Sequence, residues 1–243
     1  MREGVPGVKP TLLLLPGLLC DRTLWAAQIE ALSEVCDPWV ADLTRDETME
    51  SMARRVLEEA PAHSFAMAGL SMGGYVAMEI MRQAPERVMR LALLDTRARL
   101  DAPEDSERRL QMMRLAESER GFAPITTRML PLLVHPSRVG DSVLVDAIKG
   151  MAERTGIPAY LRQQRAIMSR VDFRPVLSQV RCPTLLLCGR EDLLTPLPLH
   201  VEMEGLVAGA RLSILEQCGH MSTMERPHEV NRELRLWLTA DQD

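Results

Sequence analysis

Ser71 stands at the centre of Gly69-Leu70-Ser71-Met72-Gly73, a Gly-x-Ser-x-Gly set between the apolar run Phe65 to Leu70 and a segment of helical spacing that ends near Ala84, before Pro85. Strand, sharp turn and helix in that order lift a serine hydroxyl above the end of a sheet, where it can act as a nucleophile. Side chains at Gly69 and Gly73 would collide where the strand turns back into the helix. The same five positions also describe an ordinary glycine-rich loop, so the chemical reading depends on partners elsewhere in the chain.

A serine hydroxyl attacks a carbonyl only when a base removes its proton, and imidazole suits that task near neutral pH. Of the five histidines, His220 alone follows the segment that reads as the last strand, Arg211 to Leu215, with a glycine before it. His63 precedes the elbow strand, His135 lies in the helical middle of the chain, His200 in a helix after Pro198, and His228 in the terminal helix. The imidazole needs an acceptor on its other nitrogen. Asp192, in the loop Gly189 to Pro196 one strand before the histidine, fits best; Glu191 beside it and Asp95, at the end of Val88 to Leu94, remain alternatives. A tetrahedral intermediate needs backbone donors for its oxyanion. Met72 N–H, at the start of a helix whose dipole favours negative charge, and Leu18 N–H, in the loop Pro16-Gly17-Leu18-Leu19, are the expected pair. Their side chains and Leu19 are then free to line a pocket, together with Leu194 and Met221.

The elements that must position these groups are legible as buried strands alternating with helices. Thr11 to Leu15 is a short continuous apolar run of the kind buried on both faces of a sheet. Helical spacing follows over Trp25 to Leu32, a strand at Trp39 to Ala41, an amphipathic helix at Met49 to Ala60, the elbow strand and its helix, and the strand Val88 to Leu94. The sheet resumes at Thr184 to Cys188, then come a helix near Leu199 to Val207, the strand Arg211 to Leu215 and a helix from Pro227 to Leu238. This alternation predicts an α/β architecture: a mostly parallel sheet of about six strands covered by helices on both faces.

Between Arg97 and Val180 nothing reads as a buried strand. Helical stretches at Ser106 to Arg120, Ile125 to Leu133, Ser142 to Glu153 and Ala159 to Arg170 predict a helical cap over residues 97–180, inserted into a core made of residues 1–96 and 181–243. The cap holds 14 basic and 10 acidic residues against 15 and 24 in the remainder. Such a surplus suits anionic substrates, and it also suits solvated faces of surface helices.

Taken together, Gly69 to Gly73, the Gly189 to Pro196 loop and Gly219-His220 resemble the α/β-hydrolase superfamily in identity and order, over most of the chain outside the cap. The chain is similar to its small esterases and lactonases, which include carrier-protein methyl esterases and 3-oxoadipate enol-lactone hydrolases. Such relatives often carry His-Gly in the oxyanion loop, where this chain has Pro16-Gly17. The resemblance implies a serine hydrolase that cleaves a small carboxylic ester, thioester or lactone, with Ser71, Asp192 and His220 as triad, an acyl-enzyme on Ser71, and no cofactor or metal. Two other classes use the same fold: a triad-using lyase that abstracts a proton and eliminates, and a ligand-binding member without turnover. Asp in place of Ser71 would be needed for dehalogenase or epoxide-hydrolase chemistry.

Composition narrows the rest. A hydrophobic fraction of 46% in 243 residues is enough to bury a substantial core. Aromatics make up 3% while methionine occurs 16 times, so core and pocket are expected to be lined by flexible aliphatic chains. There is no Gly-x-Gly-x-x-Gly after a strand, no phosphate-loop lysine and no His-Glu-x-x-His, and the net charge of −5 argues against nucleic acid. Cys20, Cys36, Cys182, Cys188 and Cys218 are odd in number and lack metal-ligand spacing, as expected of reduced thiols. Arg2 and Lys9 ahead of Leu12 to Leu19 imitate a leader ending at Cys20, but Pro16-Gly17 breaks the run and Leu19 is too large for the cleavage position. The expectation is a cytoplasmic monomer or homodimer with a small-molecule substrate and no membrane association.

Overall fold

The computed structural model describes residues 9–118 and 123–240. In chain order its strands are β1 (Thr11–Leu15), β2 (Asp37–Val40), β3 (Phe65–Leu70), β4 (Val88–Leu94), β5 (Thr184–Gly189) and β6 (Arg211–Leu215). They form one sheet in the order β2-β1-β3-β4-β5-β6, and every pairing is parallel. Side chains alternate across it. Leu13, Leu15, Met67, Leu91, Leu93 and Leu186 face one helical layer, and Leu12, Leu14, Ala66, Ala92, Leu185 and Leu187 face the other.

The first layer contains α2 (Met49–Glu59) and α3 (Met72–Gln83); the second contains α1 (Ala26–Leu32) and α10 (Pro227–Thr239). Thr48 caps α2, its hydroxyl oxygen accepting from Ser51 N at 3.1 Å, and Pro227 opens α10 where a missing N–H costs nothing. β2 begins at Asp37, two residues before the expected Trp39. Pro38 is tolerated there because β2 is an edge strand with one side free of partners.

Between β4 and β5 the chain runs through α4 (Pro103–Glu117), α5 (Ala123–Leu133), α6 (Ser142–Ser169) and α7 (Arg174–Leu177), with no strand among the described residues. Glu119 and Arg120, at the end of the helix expected from Ser106, lie outside the described residues. The two helices expected at Ser142 and Ala159 follow one another within α6, separated by a kink at Gly156, whose φ of 78° and following Pro158 break the hydrogen-bond ladder. Met113 and Ala116 of α4 pack against Tyr160 of α6, and Leu18 and Leu19 pack beneath them. The remaining helices are α8 (Leu197–Leu206) and α9 (Ser222–Glu225). No helix among the described residues is long and apolar enough to cross a membrane. All five cysteines are free thiols.

Candidate active site

β1 has β2 on one side and β3 on the other, so the chain reverses its direction of travel across the sheet at the β1/β3 boundary. Crevices at the carboxyl ends of strands at such a point are where ligands bind in open α/β sheets. Both the Pro16–Cys20 loop and Ser71 emerge there.

Ser71 has φ 56° and ψ −114°, a conformation that costs a non-glycine residue about 1–3 kcal/mol. Three hydrogen bonds hold it: Ser71 N donates to Leu94 O at 3.0 Å, and Ser71 O accepts from Thr96 Oγ1 at 2.8 Å and from Gly74 N at 2.9 Å. The two flanking glycines are steric requirements. A Cβ on Gly73 would lie 1.9 Å from Leu15 O, and one on Gly69 would lie 2.3 Å from Gly73 O.

His220 Nδ1 donates to Asp192 Oδ2 at 2.8 Å, and both side chains are buried. Asp192 is clamped by its own loop: Oδ1 accepts from Leu194 N at 2.8 Å and Thr195 N at 2.9 Å, and Oδ2 accepts from Thr195 Oγ1 at 2.6 Å. Burial pushes the Asp192 carboxyl up, but the charge and hydrogen bond of His220 and the Thr195 donors prevail and hold it down at about 2. Burial alone would lower His220; the charge of Asp192 and the bond to it raise its pKa instead. The His220 loop is pinned from above, where His220 N and Met221 N both donate to Leu133 O at 3.0 Å, and from behind, where Gly219 N donates to Glu225 Oε1 at 2.9 Å.

Ser71 and His220 open onto one cavity of 240 Å³, which Leu18, Leu19, Leu194 and Met221 also line. No hydrogen bond joins Ser71 Oγ to the imidazole among the described residues; such bonds commonly tighten only when substrate binds. In the Pro16–Cys20 loop Leu19 N is committed to Gln163 Oε1 at 3.0 Å and Cys20 N to Gly17 O at 3.1 Å. The amides of Leu18 and Met72 have no acceptor among the described residues, and Met72 is the first residue of α3.

The alternatives for the acid have other partners. Glu191 accepts from Cys218 N at 2.9 Å. Asp95 is fully buried, accepts from Gly189 N at 2.9 Å and is bonded to Ser222 Oγ, and it makes no hydrogen bond with the imidazole among the described residues. His200 is also buried; its Nε2 accepts from Thr96 N at 3.2 Å, and burial lowers its pKa to about 4, which keeps it neutral. Asp95, Cys188 and Asp192 bring donor atoms within 4.8 Å of one another. Burial pushes the Asp95 carboxyl and the Cys188 thiol up, and the charge of Asp192 adds to both shifts.

A profile described as the alpha/beta hydrolase fold matches residues 10–227 of this chain. The chain belongs to that family. Within it, this α/β-hydrolase is similar to a pimeloyl-[acyl-carrier protein] methyl ester esterase from Nitrosomonas europaea, 30% identical over 92% of this chain and 93% of that one. Among solved structures it is similar to a thermophilic esterase from Thermogutta terrifontis, solved with malate bound, at 29% identity and a TM-score of 0.86 over 96% of this chain and 90% of that one. It is also similar to the enol-lactonase of Burkholderia xenovorans LB400, at 25% identity and a TM-score of 0.87 over 96% and 93%. This α/β-hydrolase is an enzyme of the small esterase type.

Several residues that hold the α/β-hydrolase site had no separate signal in the sequence. Thr195 could have been found, since Asp-x-x-Thr is the spacing at which a carboxylate caps its own turn. Gln163, Thr96 and Ser222 come from remote elements and show no such pattern.

Proposed function

We propose that this protein is a serine hydrolase that cleaves a small carboxylic ester, thioester or lactone through an acyl-enzyme on Ser71. Residues 97–180 serve as the cap of its pocket and the rest of the chain as its core. Ser71 Oγ attacks the carbonyl carbon as its proton passes to His220 Nε2. Asp192 holds the proton of Nδ1 in place and stabilises the imidazolium that forms. The amides of Leu18 and Met72 stabilise the negative charge that develops on the carbonyl oxygen. The leaving group departs with the proton from His220. Water, deprotonated by the same imidazole, then releases the acid and restores Ser71. Leu19, Leu194 and Met221 contact the substrate.

The observation that carries this reading is the His220 Nδ1–Asp192 Oδ2 bond of 2.8 Å, together with the opening of Ser71 and His220 onto one cavity. The relatives act, by their names, on a methyl ester and an enol-lactone, which agrees with an ester or lactone here. The test is hydrolysis of short-chain esters, thioesters and lactones by wild type and Ser71→Ala. Loss of roughly 10³-fold or more in kcat is expected, with a covalent acyl adduct on Ser71 trapped by mass spectrometry. Equal rates in the variant would overturn the mechanism. Turnover by elimination, without an adduct, would point to the lyase.

A further inference from the structure

One wall of the cavity carries charge that its own residues do not neutralise. Arg97, just after β4, and Arg108 and Arg109, on α4, line the cavity, where Asp105 is the one carboxylate that accompanies them among the described lining residues. Behind them Asp101 is shared by three guanidinium groups. It accepts from Arg109 Nε and Arg170 Nη2 at 2.6 Å each, and it is bonded to Arg97 Nη2. Asp105 is divided between Arg97 Nη1 at 3.1 Å and Arg108 Nη1 at 3.2 Å. Four guanidinium groups thus share two carboxylates.

This cluster is tied to the nucleophile's own helix. Arg170 lies 4.4 Å over the ring of Tyr75, one turn along α3 from Ser71, and Tyr75 lines the same cavity. Arg109 is further fixed by Gln164 Oε1 at 3.0 Å. Arg97 Nε is buried without an acceptor among the described residues. Ion pairing that served only to bolt α4 onto α6 would be complete with matched charges. An unmatched pair of cations facing a cavity, by contrast, disfavours a purely apolar substrate and attracts an anion, most strongly where low-dielectric walls focus the field. The planar fork of arginine suits a carboxylate or phosphate in particular.

We propose that the substrate carries, besides its scissile carbonyl, a second group that is an oxyanion, bound at the Arg97–Arg108–Arg109 wall. This rests on the esterase reading of Ser71 and names the substrate class for it: a half-ester of a dicarboxylic acid if the anion is on the acyl side, or a phosphorylated leaving group if it is on the other.

Two substrate pairs test it, methyl hydrogen dicarboxylates of various lengths against their dimethyl esters, and acyl glycerol phosphate against acyl glycerol. Wild type is expected to favour the anionic member of at least one pair by about 10-fold or more in kcat/KM, the scale of a charge-assisted contact. The preferred pair identifies the side that bears the anion. The ratio of anionic to neutral kcat/KM should fall about 10-fold in Arg109→Gln and by less in the more exposed Arg108→Gln, and it should rise in Asp105→Asn, which a merely structural cluster would not produce. No preference in either pair, or a preference that survives both arginine substitutions, overturns the proposal. Calorimetry of glutarate and inorganic phosphate with Ser71→Ala keeps the two readings apart. Binding that Arg109→Gln abolishes supports the anion site even if no ester is turned over, and absence of binding to Ser71→Ala, where wild type hydrolyses neutral esters, rejects the anion site alone.

Discussion

The carboxyl groups of Asp95 and Asp192 bring oxygen atoms within 4.8 Å of one another, yet their surroundings shift them in opposite directions. Asp192 has His220, Thr195 and two loop amides as donors, and its pKa is about 2. Asp95, on the end of the adjacent strand, is fully buried, and desolvation followed by repulsion from Asp192 raises it well above the usual carboxylate range. Two carboxylates this close cannot both ionise cheaply, and the one that touches imidazole keeps the charge.

Asp192→Asn is therefore expected to lower kcat by about 10³- to 10⁴-fold, through loss of the anion and of the correct histidine tautomer. Asp95→Asn alters a side chain that makes no hydrogen bond with the imidazole among the described residues, and the amide can still accept from Gly189 N, so its loss should stay within about 10-fold. Steady-state kinetics on one short-chain ester measures both. The reverse ranking would make Asp95 the acid.

The raised pKa of His220 fixes the sign of the pH dependence. The protonated form is stabilised relative to that of a free imidazole, and only the neutral form can take the Ser71 proton. The acidic limb of kcat/KM should lie above the ordinary histidine value of about 6.5, with activity falling as pH drops through it. In Asp192→Asn the limb should move to lower pH, because the imidazolium loses its partner. A pH–rate profile of the two proteins checks this.

Gln163 should report on the proposed oxyanion loop from a distance. It is fully buried on α6, with Nε2 donating to Leu43 O at 3.1 Å and Oε1 accepting from Leu19 N, where Leu19 has a φ of 60°. Gln163→Leu frees that amide and the strained residue with it. A loss of about 10- to 100-fold in kcat with little change in KM is expected, since the oxyanion forms only in the transition state. A change confined to KM would place the effect in the pocket instead.

Gly73→Ala puts a Cβ 1.9 Å from Leu15 O, backbone that cannot yield without parting β1 from α3. A loss of roughly 3 kcal/mol or more, or failure to fold, is expected in denaturant unfolding. Gly205→Ala on α8, where a Cβ meets nothing within 4 Å, should be neutral or stabilising by about 0.5–1 kcal/mol.

Asp101 supplies a test of acid stability. Burial opposes its ionisation, but Arg170 and Arg109 hold its carboxyl well below the usual range. A group whose folded pKa is depressed contributes stability above its unfolded value of about 3.9, and that stability is lost as pH falls toward the folded value. Asp101→Asn should cost roughly 3–5 kcal/mol at neutral pH, and unfolding curves of the two proteins should converge as the pH is lowered below about 4.

Much of the fold was open to sequence reading because its signals are local. A run such as Leu12 to Leu15, apolar at every position, can only belong to a strand buried on two faces or to a core helix, and the five residues between Pro10 and Pro16 are too few for the helix. The proposed Ser71, Asp192 and His220 were legible for a similar reason, since each sits in a turn or loop that follows a strand. Pro38 obscured the start of β2, because a proline is permitted in a strand only at a sheet edge, and edge position is a property of the assembled sheet.

The sequence by itself determined the elbow, the order of the three polar residues and the glycines that let backbone meet backbone, all of which depend on residue type and near neighbours. Only the tertiary structure decided which carboxyl meets His220, that Gln163 braces Leu19 from 144 residues away, and that Arg97, Arg109 and Arg170 converge on Asp101. Those choices turn on distances of a few ångströms between elements remote in the chain, and on desolvation, which exists only once the core has closed around them.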